Sequence, residues 1–278
     1  MDVAWFTLVL FGGALVAGLI GSLTGLGGGV VIIPMLTLIF QVDIKYAIGA
    51  SLISVIATSS GAASAYVKEG ITNFRIGMVL EIATTSGAVV GAVLAILTPS
   101  HLIAVLFGGI LLVSAGLSLG KRDSEKILTA TGKMASWLRL SSDYPTENGR
   151  VSYGVRKVTG GFLAMLVAGL ISGILGIGSG ALKVIAMDRI MNLPFKVSTA
   201  TSNFMIGVTA AASTGIYLSR GYIDPGLCMP IVLGVLAGSL LGTKVLYKAQ
   251  TRILRMLFAI VITFLAFQMI SKGLSGKL

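Results

Sequence analysis

Apolar residues in this chain come in long unbroken runs, with neither the alternation of a strand nor the one-sided stripe of a soluble helix. Ile103 to Leu119 is apolar on every side. Runs of about 18 to 24 residues recur along the whole length, each long enough to cross the ~30 Å hydrocarbon core as a helix. The pattern predicts full-length helices over about 4–24, 46–67, 76–97 and 101–119, then over 158–175, 198–219, 226–246 and 253–271. Between the first and second helix of each set stand a glycine cluster (25–29, 176–180) and a short apolar piece (30–40, 181–191). At ~1.5 Å rise per residue such a piece reaches only about half the bilayer core, so it reads as a half-helix or re-entrant arm.

The two sets are copies. Lys45 and Lys196 are 151 positions apart (196 − 45), and the same shift carries Gly25, Gly27 and Gly29 onto Gly176, Gly178 and Gly180 without a gap. It also carries Ser51, Thr58, Tyr66, Gly70, Gly87 and Gly91 onto Ser202, Thr209, Tyr217, Gly221, Gly238 and Gly242. A duplicated apolar unit is the signature of a membrane transporter. The expected fold class is therefore an all-α polytopic membrane protein of two inverted repeats, residues 1–119 and 158–278, joined by a cytoplasmic linker over 120–157.

Composition agrees with this reading: 55% of the 278 residues are hydrophobic and 11% charged, with a mean hydropathy of +0.96. A β-barrel would show segments of about ten residues with alternating polarity, which are absent. The net charge of +11 would suggest nucleic acid in a soluble chain, but here the basic residues lie between apolar runs and anchor loops at the membrane surface. The first run, from about Trp5 to Leu23, follows Asp2 without a basic cluster or cleavage pattern and reads as a retained helix. Cys228 is the one cysteine and His101 the one histidine. An internal disulfide, a cysteine or histidine metal cage and Ser-His-Asp catalysis are thus poor expectations. No cofactor and no catalytic residue is expected.

Charge also orients the repeats. The linker carries Lys121, Arg122, Lys126, Lys133, Arg139, Arg150, Arg156 and Lys157 against four acids, so it should be cytoplasmic. Within it Ile127, Ala130, Met134 and Leu138, beside Trp137, fall at the spacing of an amphipathic surface helix. Lys68 and Arg75 flank one loop of the first half, whereas its counterpart has Arg220 offset by Asp224; the next loop reverses the bias, with Lys244, Lys248, Arg252 and Arg255 in the second half only. Matching loops on opposite sides require inverted repeats with an odd number of crossings per half. Lys272 and Lys277 then sit outside, against the rule.

The candidate chemistry lies at the glycine clusters. Glycine interrupts a helix and lets backbone N–H groups face a cavity, and the short helix behind each cluster turns its positive end there. Gly27, Gly28 and Gly29 would oppose Gly178, Ser179 and Gly180 near the midplane around an anion. Close helix packing is the alternative reading of these glycines, and it is preferred for Gly87, Gly91, Gly238 and Gly242. Lys183, one turn into the second short helix, is placed to neutralise the anion, with Ser51, Ser202 and Asn203 as side-chain contacts. Ser and Thr in apolar helices also bond their own backbone, so Ser54, Thr58, Ser59, Ser60 and Thr209 are not singled out. Glu81 begins only five residues after Ile76, so it either snorkels to the cytoplasmic interface, the preferred reading, or couples transport to a proton or sodium ion.

Gly21-Ser22-Leu23-Thr24-Gly25-Leu26-Gly27-Gly28-Gly29 with Pro34, and Ala47-Ile48-Gly49-Ala50-Ser51-Leu52, resemble the sulfite exporter TauE/SafE family, with weaker copies around Gly173–Gly180 and Ser198–Asn203. The resemblance implies a multi-pass transporter of the cytoplasmic membrane of a bacterium or archaeon. It implies a small sulfur-containing or carboxylate anion, such as sulfite, thiosulfate, sulfoacetate or a related organosulfonate. Ser179, Lys183 and Asn203 stand where the first repeat has Gly28, Ile32 and Leu52, which places specificity toward the second repeat. The leading expectation is a secondary transporter in which one repeat rocks against the other. An anion channel on the same repeats is the alternative, and a membrane-embedded enzyme lacks the clustered residues it would need. Direction, coupling ion and oligomeric state stay open.

Overall fold

Ten of the helices in the computed structural model follow the predicted apolar runs and short pieces, with ends that local chemistry explains. It describes residues 3–24, 27–119, 131–146, 149–246 and 251–276. The first half holds α1 (Val3–Thr24), α2 (Gly29–Pro34, running on as a π turn over Met35–Ile39), α3 (Ile44–Lys68), α4 (Phe74–Leu97) and α5 (Ser100–Leu119). The second holds α7 (Val158–Leu175), α8 (Gly180–Ile185, running on as a π turn over Ala186–Ile190), α9 (Phe195–Ser219), α10 (Pro225–Leu246) and α11 (Thr251–Leu274). Between them stand a one-turn helix, α6 (Lys133–Trp137), and an antiparallel hairpin of β1 (Ser142–Thr146) and β2 (Gly149–Tyr153).

The duplication reaches backbone detail. The π turns end with Phe40 and Met191 donating to the carbonyls of Met35 and Ala186, and Val42 and Leu193 donating to those of Leu36 and Met187. Between them Gln41 and Asn192 adopt the left-handed region at φ 55° and 59°. Pro34 does not cause the π turn, because the second copy forms the same turn with Ile185 in that place. Gly70 and Gly221, at φ +69° and +76°, close the same turn at the ends of α3 and α9.

Helix pairing is symmetric under exchange of the halves: α1 packs on α10 as α4 packs on α7, while α3 meets α9 and α5 meets α11. The first two pairings are close and parallel. Side chains at Gly87 and Gly91 would strike the carbonyls of Leu166 and Leu170, and those at Gly238 and Gly234 the carbonyls of Leu15 and Phe11. These glycines do serve packing. Equivalent helices run antiparallel. Gly49, near the start of α3, lies against Tyr222 just past the end of α9, while Asn73, beyond the end of α3, takes the Thr201 hydroxyl near the start of α9. In α5 and α11, His101 meets Gly273 and Gly108 meets Ala266.

Two apolar cores result. The larger is built from α1, α2, α3, α5, α10 and α11 with the latter parts of α4, α7 and α9, and contains Ile32, Ile48, Phe107, Ile206, Ile231 and Ile262. The smaller joins α4, α7, the π turn after α8, the start of α9 and the linker, through Ile76, Leu80, Tyr144, Tyr153, Met187 and Met205. Large apolar side chains such as Leu8, Ile82, Leu97 and Phe264 stay exposed on outward faces, as a lipid-facing surface requires. Among the described residues, five helices are long and apolar enough to cross a membrane, with three shorter apolar segments beside them.

The linker departs from expectation. Of the predicted amphipathic helix, Ile127 and Ala130 lie outside the described residues, and the rest gives one turn, α6, followed by the hairpin. Asn73 fastens it. Its Oδ1 caps α4 by accepting from Ile76 N at 3.1 Å, while its Nδ2 donates to Leu140 O at 3.0 Å and to Tyr153 Oη at 2.8 Å. Burial pushes the Tyr153 hydroxyl above its usual pKa, with the Asn73 bond opposing. Arg75 donates to Arg139 O at 3.2 Å. Two segments expected to be cytoplasmic therefore meet at one end of the bundle.

Candidate functional site

The second short helix carries the most costly side chain in the molecule. Lys183 is 0% exposed, a lysine closed off from water inside a bundle with apolar flanks. Its Nζ donates to Thr209 Oγ1 at 2.5 Å, and Thr209 in turn donates to Glu81 Oε1 at 2.6 Å. Thr85 donates to the same carboxylate oxygen at 3.0 Å. A lysine on α8, a hydroxyl on α9 and a carboxylate on α4 thus form one chain across three elements.

This chain corrects the preferred reading of Glu81. The carboxylate is only 7% exposed and turned into the bundle toward α9, not extended to the interface. It remains underused: Oε2 has no hydrogen-bond partner among the described residues. Ion pairing is also indirect. Lys183 and Glu81 are joined through Thr209 and not by a direct contact such as that of Arg150 with Asp143, 3.3 Å apart on the surface. One hydroxyl separates the buried charges.

The first repeat has nothing like it. The positions 151 away are Ile32, Thr58 and Val232, and Thr58 Oγ1 donates to its own turn at Ser54 O, 2.7 Å away. The duplicated scaffold supplies a polar position twice and charges it once.

The glycine loops face one another as expected. A side chain on Gly29 would meet Ser51 Oγ, Val55 and the Gly176 carbonyl, and one on Gly178 would meet Ile206 and Val55. Gly27 lies against Val55 and near the Ile177 carbonyl. Ser51 Oγ donates across the halves to Gly176 O at 2.8 Å, and Ser202 Oγ donates to Gly180 O at 3.2 Å. Both serines therefore hold the second glycine loop in place. Asn203 Nδ2 donates to Thr199 O at 3.0 Å, within its own helix. Gly28 lies near Thr58 and the α1 backbone.

Ser179 stands apart. It adopts φ +46°, a region that costs most side chains about 1–2 kcal/mol, whereas Gly28 at the matching position is at φ −66°. Its hydroxyl is buried and without a partner among the described residues. Lys183 N donates to Ser179 O at 3.1 Å, so the serine opens the turn that carries the lysine. Among the described residues Ser172, Ser198 and Thr199 in the second half and Thr72 in the first also carry buried hydroxyls without a partner. Most of this unused polar capacity lies in the second repeat. Sequence reasoning passed over Thr209 because threonines in apolar helices bond their own backbone, and Thr209 does also lie 2.9 Å from Met205 O; the available signal was that its neighbours Lys183 and Glu81 lack charged counterparts.

Residues 10–269 match the family model described as Sulfite exporter TauE/SafE. The chain is 32% identical over 274 residues to the "Probable membrane transporter protein YunE" of Bacillus subtilis, covering 96% of this chain and 97% of that one. It is 29% identical to "Probable membrane transporter protein YdhB" of the same organism, over 85% and 87% of the two chains. It is 22% identical to "Probable membrane transporter protein MJ0441" of Methanocaldococcus jannaschii, over 89% of each. No solved structure matches.

Proposed function

The chain belongs to the sulfite exporter TauE/SafE family of membrane transporters, and from that premise we propose that it carries small sulfur-containing or organic anions by alternating access around a site between the glycine loops. Sulfite, thiosulfate, sulfoacetate and organosulfonates form the substrate class, and the cytoplasmic membrane of a bacterium or archaeon is the location. The observation that carries this reading is the fully buried Lys183, set one turn behind Ser179, whose buried hydroxyl is unpartnered. An anion entering a dry cavity must replace its hydration shell. A lysine with N–H groups to spare, a serine hydroxyl and loop N–H groups supply charge-assisted hydrogen bonds worth about 1.5–3 kcal/mol each. Gly27, Gly28, Gly29, Gly178 and Gly180 shape the loops around the anion, and Ser51 and Ser202 hold them. Asn203 lines the approach, and Glu81 is the coupling group. The antiparallel course of α3 and α9 supports inverted repeats.

The test is anion binding to the detergent-purified protein. Removing Lys183 alone strands Glu81, at a cost of about 3–5 kcal/mol, so the informative variant is the neutral pair Lys183→Met with Glu81→Gln. Saturable binding of sulfite, thiosulfate or sulfoacetate is expected in the wild type, weakened at least about tenfold in the double variant. Equal affinity in a well-folded double variant would place Lys183 outside the site.

A further inference from the structure

Glu81 and Lys183 both have hydrogen-bonding capacity left over. Carboxylate Oε1 accepts from Thr209 and Thr85 while Oε2 accepts from nothing among the described residues. The ammonium has three N–H groups, and Thr209 takes one. Among the described residues, Lys183 is the charged group linked to Glu81, through Thr209. α7 has no ionisable side chain; α9 has the exposed Lys196 near its start and Tyr217 two turns past Thr209, bonded to Gly173 O. Arg75, the other charge on α4, reaches Arg139 O, and Asp188 and Arg189 lie beyond Lys183 in the π turn. With no anion present, one positive charge balances one negative through a single hydroxyl.

A bound anion breaks that balance. Lys183 then faces two negative charges in a closed, low-dielectric setting, where unbalanced charge is expensive. A proton is the smallest species that restores neutrality, and Oε2 is the free position that can take it. We infer that Glu81 Oε2 is a proton site filled when an anion engages Lys183, with Lys183 exchanging its Thr209-bridged carboxylate partner for the anion. The proton is delivered by hydronium or a protonated buffer molecule of the bulk solution, which returns to water or free buffer as the Oε2–H bond forms. Anion and proton therefore cross together, in whichever direction their combined gradients favour. The inference rests on the anion-site reading above and adds its coupling ion.

Calorimetry on the full-length purified protein in buffers of different ionisation enthalpy counts protons taken up per anion bound. Methanesulfonate and ethanesulfonate are suitable probes because each stays a monoanion throughout the working range. The wild type should take up about one proton per anion, with affinity falling as pH rises, and Glu81→Gln should take up about none while binding with little pH dependence. The wild-type count decides the matter even where the variant folds poorly. Binding without proton uptake in the wild type overturns the inference and leaves the anion site standing. Uptake retained in Glu81→Gln removes Glu81 from the role. Absence of saturable binding by either anion overturns the anion-site reading and this inference with it.

Discussion

Ser179 shows at the scale of one residue what the site demands of its scaffold. A serine held at φ +46° with a buried, unpartnered hydroxyl is costly twice over, and the first repeat avoids both costs with Gly28. Ser179→Gly should therefore raise stability in a detergent melt by about 1 kcal/mol while weakening anion binding by a similar amount, roughly fivefold. A more stable variant with unchanged affinity would assign the strain to packing alone. Ser179 and Lys183 were legible in the sequence because each differs from its counterpart 151 positions away. Thr209 was not, since threonines in apolar helices commonly bond their own backbone and only its surroundings mark it. Glu81 was misjudged for a related reason: depth was counted along its own helix, whereas its burial comes from α9.

Among the elements, the helix ends and the two short pieces could be read from apolar run length and glycine punctuation, because crossing a bilayer imposes that length on any sequence. The hairpin could not. Ser142-Asp143-Tyr144-Pro145-Thr146 is poor strand material, and it forms because Tyr144 and Tyr153 pack into the smaller core beside Asn73. The parallel seams were legible only as glycine spacing, and the backbone contacts give that spacing its consequence. Gly238→Ala forces a methyl group against the Leu15 carbonyl and should destabilise the fold by several kcal/mol. Gly109→Ala, in α5 with nothing within 4 Å of an added Cβ, should be neutral or gain up to about 1 kcal/mol from helix propensity. Paired thermal melts check both, and equal effects would mean that the seams tolerate separation.

Across the whole molecule, the principal helix pairings all join one half to the other, α1 with α10, α4 with α7, α3 with α9 and α5 with α11. Neither half encloses a core of its own. Both cores are assembled from both halves, and α4, α7 and α9 each run from one core into the other. With Cys228 replaced, cysteines at Ser59 and Gly207, where a Cβ on Gly207 lies 3.7 Å from that of Ser59, would join α3 of one half to α9 of the other. If the repeats rock against each other during transport, oxidation of this pair should arrest uptake into proteoliposomes until it is reduced, and unchanged uptake would count against that motion. A gene copied end to end has thus yielded two lengths of chain that interlock as one body, so the seam visible in the sequence is not a seam in the fold.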